Sequence, residues 1–168
     1  MVSLFQNQLT GSLDKIFKKS QVYLSTIDVS DNRLTGSIPS NIFKLRNLST
    51  FSLGVNCISS TAIPSTVCDA SNLATLVLDG PHSADSCKNY IFGDDSKIKT
   101  YYSDIIITGS IPSCLFTLPK LTTLQLSGNG ITGKLNNINV NPVLVNLSLS
   151  NNFLSGDIPP QFENRNWT

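Results

Sequence analysis

The chain has 168 residues, of which 40% are apolar and only 14% are charged. This length suits one domain with a buried core, and the low charged fraction leaves Ser, Thr and Asn to supply most of the polar surface. Twelve Lys and Arg against eleven Asp and Glu give a net charge of +1, which provides no basic field for nucleic acid and no acidic field for cations.

An apolar pattern returns along the whole chain and is clearest around Asn32. Its other members there are Leu24, Ile27, Val29, Leu34, Gly36, Ile38 and Pro39. The pattern recurs at anchor positions 7, 32, 56, 81, 105, 129 and 152, although Pro81 and Ile105 replace Asn at two of them. Anchors are 23 to 25 residues apart, so the sequence predicts one repeat domain over residues 1–168 with about seven repeats.

The spacing within each repeat predicts one coil of a solenoid. Ile27 and Val29 have the period of two of a short strand that turns both side chains inward. A single coil cannot bury them, so neighbouring coils stack and pair their strands in a parallel sheet. The anchor amides can bond backbone groups that the turn leaves buried. This predicts a structural ladder of Asn7, Asn32, Asn56, Asn129 and Asn152.

The residues after the anchors resemble one known family. Segments 34–39 and 154–159 read Leu-Thr-Gly-Ser-Ile-Pro and Leu-Ser-Gly-Asp-Ile-Pro, and 107–112 nearly repeats them. This resembles the plant-specific class of leucine-rich repeats over essentially the whole chain. The resemblance implies an α/β repeat solenoid, a right-handed coil with a parallel concave sheet and short 3-10 or irregular convex turns. It also implies an extracellular or cell-surface location, as in receptor kinase ectodomains, receptor-like proteins and polygalacturonase-inhibitor-like proteins.

The concave sheet face and an irregular segment, 79–104, are the expected binding surfaces. The first outward position of each strand gives the column Thr26, Thr50, Thr75, Lys99, Thr123 and Asn146. Candidate partner-binding residues on the two surfaces are Asp28, Asp79, His82, Tyr90, Phe92, Lys99, Tyr101 and Gln125. The alternatives are that Thr only suits a solvated strand and that the segment is an eroded repeat without a partner.

Four cysteines flank or enter the irregular segment: Cys57, Cys68, Cys87 and Cys114. An even count suits an oxidising compartment, and the absence of a C-x-x-C spacing argues against a zinc site. With anchors at 81 and 105, Cys87 and Cys114 would lie on neighbouring coils at similar phases. We therefore prefer this disulfide to Cys68–Cys87, with four free thiols as the alternative.

Two further features concern processing. Glycosylation sequons begin at Asn47, Asn146 and Asn166, a number that a chain rich in Asn, Ser and Thr produces by chance. No signal peptide follows Met1, and neither end has a recognisable cap. We expect a piece of a longer protein that lacks both caps, and the alternative is a complete cytosolic solenoid.

Catalysis is not expected from these residues. His82 could pair with Cys87, but no third partner is evident, and Asp94-Asp95 suits a solvated loop better than a metal site. We expect no cofactor, no metal and no enzyme activity, although a kinase domain elsewhere in the gene would be compatible.

The predicted function is a scaffold that binds a protein or peptide, as part of a cell-surface receptor or receptor-like protein. We expect no nucleic-acid partner and no membrane contact within this segment, although the full-length protein can be membrane-anchored. The alternative is a secreted inhibitor of cell-wall-degrading hydrolases. A third interpretation is ice binding by the Thr column, which Lys99 and Asn146 interrupt.

Overall fold

Each coil of the chain contributes one short strand to a shared parallel sheet in the computed structural model. The structure describes residues 1–80, 87, 89–92, 98–101, 106–136, 138–163 and 165–168, with only the backbone at 89–92 and 98–101. The strands are β1 Val2–Ser3, β2 Thr10–Ser12, β3 Thr26–Asp28, β4 Arg33–Thr35, β5 Thr50–Ser52, β6 Thr75–Val77, β7 Asn89–Phe92, β8 Ile98–Tyr101, β9 Thr108–Gly109, β10 Thr123–Gln125, β11 Gly130–Lys134, β12 Asn146–Ser148 and β13 Phe153–Ser155. The 3-10 helices are η1 Ile42–Lys44, η2 Ser65–Asp69, η3 Ser113–Phe116 and η4 Pro160–Phe162.

The main sheet contains six parallel strands in the order β1-β3-β5-β6-β10-β12. We number the coils 1 to 6 by these strands and call the outward side of the sheet the concave face. The register is continuous, because Thr26 pairs with Thr50, Thr50 with Thr75, Thr75 with Thr123, and Thr123 with Asn146. Together with the 3-10 turns on the convex side, this confirms the predicted α/β repeat solenoid.

The inward side chains of the strands form one continuous core. Ile27, Phe51, Leu76 and Leu124 come from four successive coils and are completely buried. Their burial follows from stacking, because each is covered by the equivalent residues of the coils on both sides. The outermost coils have a neighbour on one side only, so apolar residues such as Phe5 and Phe153 remain exposed there.

The anchor asparagines lie where the chain leaves the main sheet, and they join neighbouring coils. Asn56 is buried and donates through Nδ2 to the carbonyls of Val29, Leu53 and Gly54. Its Oδ1 accepts from Leu34 N–H on the preceding coil, at 3.0 Å. Asn32, Asn129 and Asn152 make the equivalent sets of bonds. Asn7 is exposed, and its side chain bonds only to carbonyls of its own coil.

Coil 4 is interrupted, which corrects the predicted count of seven repeats. Thr75 of β6 pairs directly with Thr123 of β10, 48 positions later in the chain. No strand lies between them, and β7 and β8 instead pair with each other antiparallel. The predicted frames at 81 and 105 are therefore the two halves of one coil. Its first half ends near Gly80, its second begins near Ile107, which forms an isolated bridge with Ser60, and a segment is inserted between them.

The convex side carries the 3-10 helices of successive coils. Proline is the N-cap residue of three of them, as Pro64, Pro112 and Pro159, where its fixed φ fits the extended backbone that leads into the helix. η2 of coil 3 packs on η3 of coil 4 although the two are far apart in the chain. Interrupting coil 4 therefore leaves the stack itself continuous.

Candidate ligand-binding face

The concave face is lined by small polar side chains in straight rows. The first row consists of Thr26, Thr50, Thr75, Thr123 and Asn146, all half-buried. The second row, one pleat further along each strand, consists of Ser3, Asp28, Ser52, Val77, Gln125 and Ser148. Strand geometry produces the rows, because alternate residues point to the same face and parallel strands stay in register.

Hydroxyl groups on this face bond to one another across coils, and the Asp28 carboxylate is held within its own coil. The Asp28 carboxylate accepts from both the backbone N–H and the hydroxyl of Ser30. The hydroxyls of Ser30 and Ser52 are 2.8 Å apart on neighbouring coils, and those of Ser127 and Ser148 are 2.6 Å apart. These bonds hold the side chains in fixed positions, so the face is preorganised for hydrogen bonding with a ligand.

Asp79 is the second carboxylate of the face and is tied more tightly to the scaffold. Its Oδ1 accepts from the backbone N–H of Ser127 at 2.7 Å. Burial raises the pKa of the Asp79 carboxyl, and the hydrogen bond from Ser127 opposes that rise. The following residue, Gly80, lies so close to coil 5 that an added Cβ would overlap the carbonyl oxygen of Gly128. Asp79 therefore stabilises the junction of coils 4 and 5.

The charges on the concave face are of one sign. Asp28 lies in β3 and Asp79 lies two residues after the end of β6, and the outward positions of the described main-sheet strands carry no Lys or Arg. The predicted outward column includes Lys99, but β8 belongs to the antiparallel pair rather than to the main sheet. The face is therefore acidic and rich in hydrogen-bond acceptors.

Comparison with known proteins agrees with this geometry. The family model for Leucine Rich Repeat matches residues 23–45, 120–139 and 143–164. Receptor-like protein 39 of Arabidopsis thaliana is 30% identical over 190 residues, covering 92% of this chain and 20% of that protein. Receptor-like protein 41 of the same plant is 33% identical over 137 residues, covering 80% and 12%. The chain is a plant-type leucine-rich repeat protein.

A solved receptor structure has the same architecture. The Arabidopsis receptor kinase HAESA, in complex with the peptide hormone IDA and the co-receptor SERK1, matches this leucine-rich repeat protein with a TM-score of 0.71 at 28% identity. The match covers 95% of this chain and 23% of that one. This leucine-rich repeat chain thus spans about a fifth or less of the curated relatives and about a quarter of that structure.

The disulfide prediction for this leucine-rich repeat protein is wrong. Cys87 is bonded to Cys57 and Cys114 to Cys68, with Cα–Cα distances of 5.3 and 5.6 Å. The predicted Cys87–Cys114 pair assumed a separate coil between the two residues. Because coil 4 stacks directly on coil 3, Cys114 of η3 meets Cys68 of η2, and Cys87 of the inserted segment meets Cys57, which follows the Asn56 anchor.

The other predicted site residues fall into two groups. Asp28, Asp79 and Gln125 lie on the concave face, all half-buried. His82 lies outside the described residues, as do the side chains of Tyr90, Phe92, Lys99 and Tyr101. The backbone of Lys99 and Tyr101 is in β8, so the prediction that Lys99 belongs to the outward column of the main sheet is wrong. Their sequence signal was the apparent frame at position 105.

The sequon asparagines differ in accessibility. Asn47 and Asn166 are exposed, whereas Asn146 is half-buried in β12 on the concave face. Asn47 donates through Nδ2 to the carbonyl of Val22 at 2.6 Å. Ser30 and Ser127 are the contributors to the face that sequence reasoning left without a role, because their partners are set by the register between coils.

Two further observations concern the described residues alone. They contain no helix with the length and apolar character of a membrane span. Nor do they bring together three or more His, Cys, Asp or Glu side chains in a group that could hold a metal ion.

Proposed function

We propose that this chain is part of the extracellular domain of a plant receptor or receptor-like protein and recognises a protein or peptide on its concave face. The observation that carries the proposal is a set of fixed polar groups on the half-exposed concave face, where hydroxyl pairs join coils 2 and 3 and coils 5 and 6 and the Asp28 carboxylate is held by Ser30. The similarity to receptor-like proteins and to a receptor kinase whose structure contains a peptide hormone supports it. Two disulfides suit the oxidising extracellular space. We assign this chain a binding role and no catalysis.

The chemistry of the face favours a basic, donor-rich segment of the partner. Asp28 and Asp79 lie two coils apart, and no cation stands beside them on the described strands. A Lys or Arg of the partner would be attracted to Asp28 and could donate to hydroxyls such as that of Ser52. An acidic segment would meet like charges and bind less well.

The experiment screens immobilised extended peptides that differ only in Lys, Gln or Glu at matched positions, against the whole chain. We expect the Lys series to bind most tightly, and Asp28→Asn to weaken that binding by about two- to fivefold, as for exposed charge pairs. The control is Asp14→Asn, which removes the same charge from an exposed turn outside the face. Equal binding of the Lys and Glu series, or equal losses in the two variants, would contradict the proposal.

We also propose that the inserted segment contributes to recognition. The chain leaves the concave face directly after Asp79 and Gly80, and the Cys57–Cys87 disulfide ties the segment beside coil 3. A ligand on the concave face would therefore lie close to the point where the inserted segment joins the solenoid. Replacing Tyr90, Phe92 and Tyr101 together with Ala should reduce binding of peptides selected on the intact chain. Unchanged binding would count against a role for the segment.

Glycans at Asn47 and Asn166 are compatible with this proposal, because both residues are exposed. A glycan at Asn146 would stand on the concave face and cover its coil 5 and coil 6 end. Peptide mapping after enzymatic deglycosylation of plant-expressed protein distinguishes the three sites. We expect modification at Asn47 and Asn166, and full occupancy of Asn146 would move the proposed site toward coils 2 to 4.

Two alternative functions remain, and one assay tests each of them. An inhibitor of wall-degrading hydrolases would use the same solenoid, and it is tested by inhibition of a polygalacturonase. Ice binding gains from the register, since Thr26, Thr50, Thr75 and Thr123 are consecutive and Lys99 does not interrupt them. The neighbouring row is chemically irregular, which disfavours an ordered ice-like water layer, and a thermal hysteresis assay tests it.

A further inference from the structure

A groove with an excess of positive charge lies on the edge where the chain returns from the 3-10 helices to the main sheet. It has a volume of about 570 Å³ and runs across coils 1, 2 and 3. Its charged residues are Lys19, Lys44, Arg46 and Asp69, all exposed. Three cations and one carboxylate give this groove a net charge of +2, in a chain whose total is +1.

The three cations are available for an external partner. Among the described residues, the structure records no ion pair for any of them. The floor beneath them is rigid, because Phe43 and Leu45 belong to the buried core. The cations therefore extend from a fixed base into solvent, and the groove attracts anions.

Side-chain amides hold the wall of the groove in place. Asn72 of coil 3 donates through Nδ2 to the carbonyl of Arg46 on coil 2 at 2.9 Å. Its Oδ1 accepts from the Lys120 ammonium of coil 4 at 2.6 Å. Coil 3 supplies no cation to this edge, and positive charge returns at Lys120 of coil 4. An elongated site with cations on coils 1, 2 and 4 fits a linear anion that carries several charges.

From these features we infer that the groove binds a linear acidic polysaccharide. Carboxylates along such a chain can pair with Lys19, Lys44 and Arg46, while Asp69, Ser71 and Asn72 can bond sugar hydroxyls. Tyr23 occupies the coil position equivalent to Asn47 on the same edge and is 91% exposed, so its ring can stack on a sugar face. Nucleic acid would require denser positive charge and would be repelled by Asp69.

This site is independent of the concave face, since the two surfaces share no residue. A ligand on the return edge would leave the peptide-binding rows open. The chain could therefore be retained by a polysaccharide matrix while its concave face binds a protein or peptide. Failure of either proposal leaves the other standing.

The probe is a set of polygalacturonate oligomers, titrated against the whole chain with its N-glycans trimmed because Asn47 adjoins the groove. The matched neutral probe is the same set fully methyl-esterified. We expect binding of the acidic oligomers that weakens with added salt, and none of the esterified ones. Lys19→Gln, Lys44→Gln and Arg46→Gln should each lower affinity about two- to fivefold, and the triple variant at least about tenfold.

The control variant is Lys134→Gln, which removes an exposed cation from a different groove and should change affinity less than about twofold. Thermal unfolding should be unchanged in all variants, since the replaced side chains are exposed. Wild-type affinity in the triple variant, equal binding of the esterified oligomers, or an equal loss in Lys134→Gln would overturn the inference. So would tighter binding to vesicles containing phosphatidylserine than to the oligomers, with the same three residues required.

Discussion

Replacing Asn129 with alanine should destabilise the solenoid far more than replacing Asn7, the exposed member of the asparagine ladder. Asn129 closes the interrupted coil, because Nδ2 donates to Leu78 O before the insertion and Oδ1 accepts from Ile107 N–H after it. Both bonds are buried, at 2.9 and 3.3 Å. The alanine variant would free these two backbone groups at once, on either side of the inserted segment.

The magnitude follows from counting the groups that have no other partner. Of the carbonyls that Asn129 bonds, that of Leu126 also accepts from Asn152, and that of Ser127 also accepts from Gly80 N–H. Only Leu78 O and Ile107 N–H lose their recorded partner. At about 1–3 kcal/mol for each buried unsatisfied group, the free energy of unfolding should fall by about 2–6 kcal/mol.

Urea unfolding followed by far-UV circular dichroism measures this loss, and Asn7→Ala is the matched control. Asn7 is exposed and bonds only Leu4 O and Phe5 O, so its loss should cost less than about 1 kcal/mol. Hydrogen exchange adds a local readout, because the Ile107 amide should lose protection in Asn129→Ala. Equal free-energy losses in the two variants, or an unchanged Ile107 amide, would refute the reasoning.

Three further predictions concern the same junction. Gly80→Ala should lower the free energy of unfolding by about 1–3 kcal/mol or more, because its Cβ would overlap Gly128 O. Gly54→Ala is the control and should lower it less in the same urea titration, since its Cβ would lie 3.3 Å from a Val77 methyl. Because burial raises the pKa of Asp79, the folded state holds this proton more tightly than the unfolded state. The free energy of unfolding should therefore fall as pH rises from the ordinary Asp pKa to the raised folded value. Urea titrations across that pH interval measure the fall, and Asp79→Asn should abolish most of it. Non-reducing peptide mapping should recover Cys57–Cys87 and Cys68–Cys114, and recovery of Cys87–Cys114 would contradict the direct stacking of coils 3 and 4. Removing Cys68–Cys114, which closes a loop with a sequence separation of 46, should lower the free energy of unfolding by about 4 kcal/mol.

The sequence predicted the solenoid because its energetics repeat. Leu24, Leu48 and Leu73 each precede a strand in the same way, and each is buried by the same stacking. The concave positions of Asp28 and Gln125 followed from strand alternation alone. None of these predictions requires knowing which coil lies beside which.

The interruption of coil 4 could not be predicted from spacing. Segment 73–78 fits the first half of a repeat and 107–112 fits the second, and the chain between them adds about one period to the 48-position separation of Thr75 and Thr123. A full extra coil and an inserted segment of that length therefore give the same spacing between repeats. The missing strand-forming leucines before position 105 were the one available signal. The disulfide error and the misplacement of Lys99 both followed from this choice.

Contacts made by neighbouring coils stabilise the interrupted coil. Asn129 bonds both of its halves, Gly80 packs on Gly128, and Cys68–Cys114 joins its 3-10 helix to coil 3. None of these contacts uses a side chain of the segment between positions 81 and 105. Changes in that segment that spare Cys87, which is bonded to Cys57 of coil 3, can therefore alter recognition with little effect on the solenoid. The triple alanine variant of Tyr90, Phe92 and Tyr101 should accordingly unfold at the same urea concentration as the wild type, so any loss of binding can be attributed to contacts with the partner.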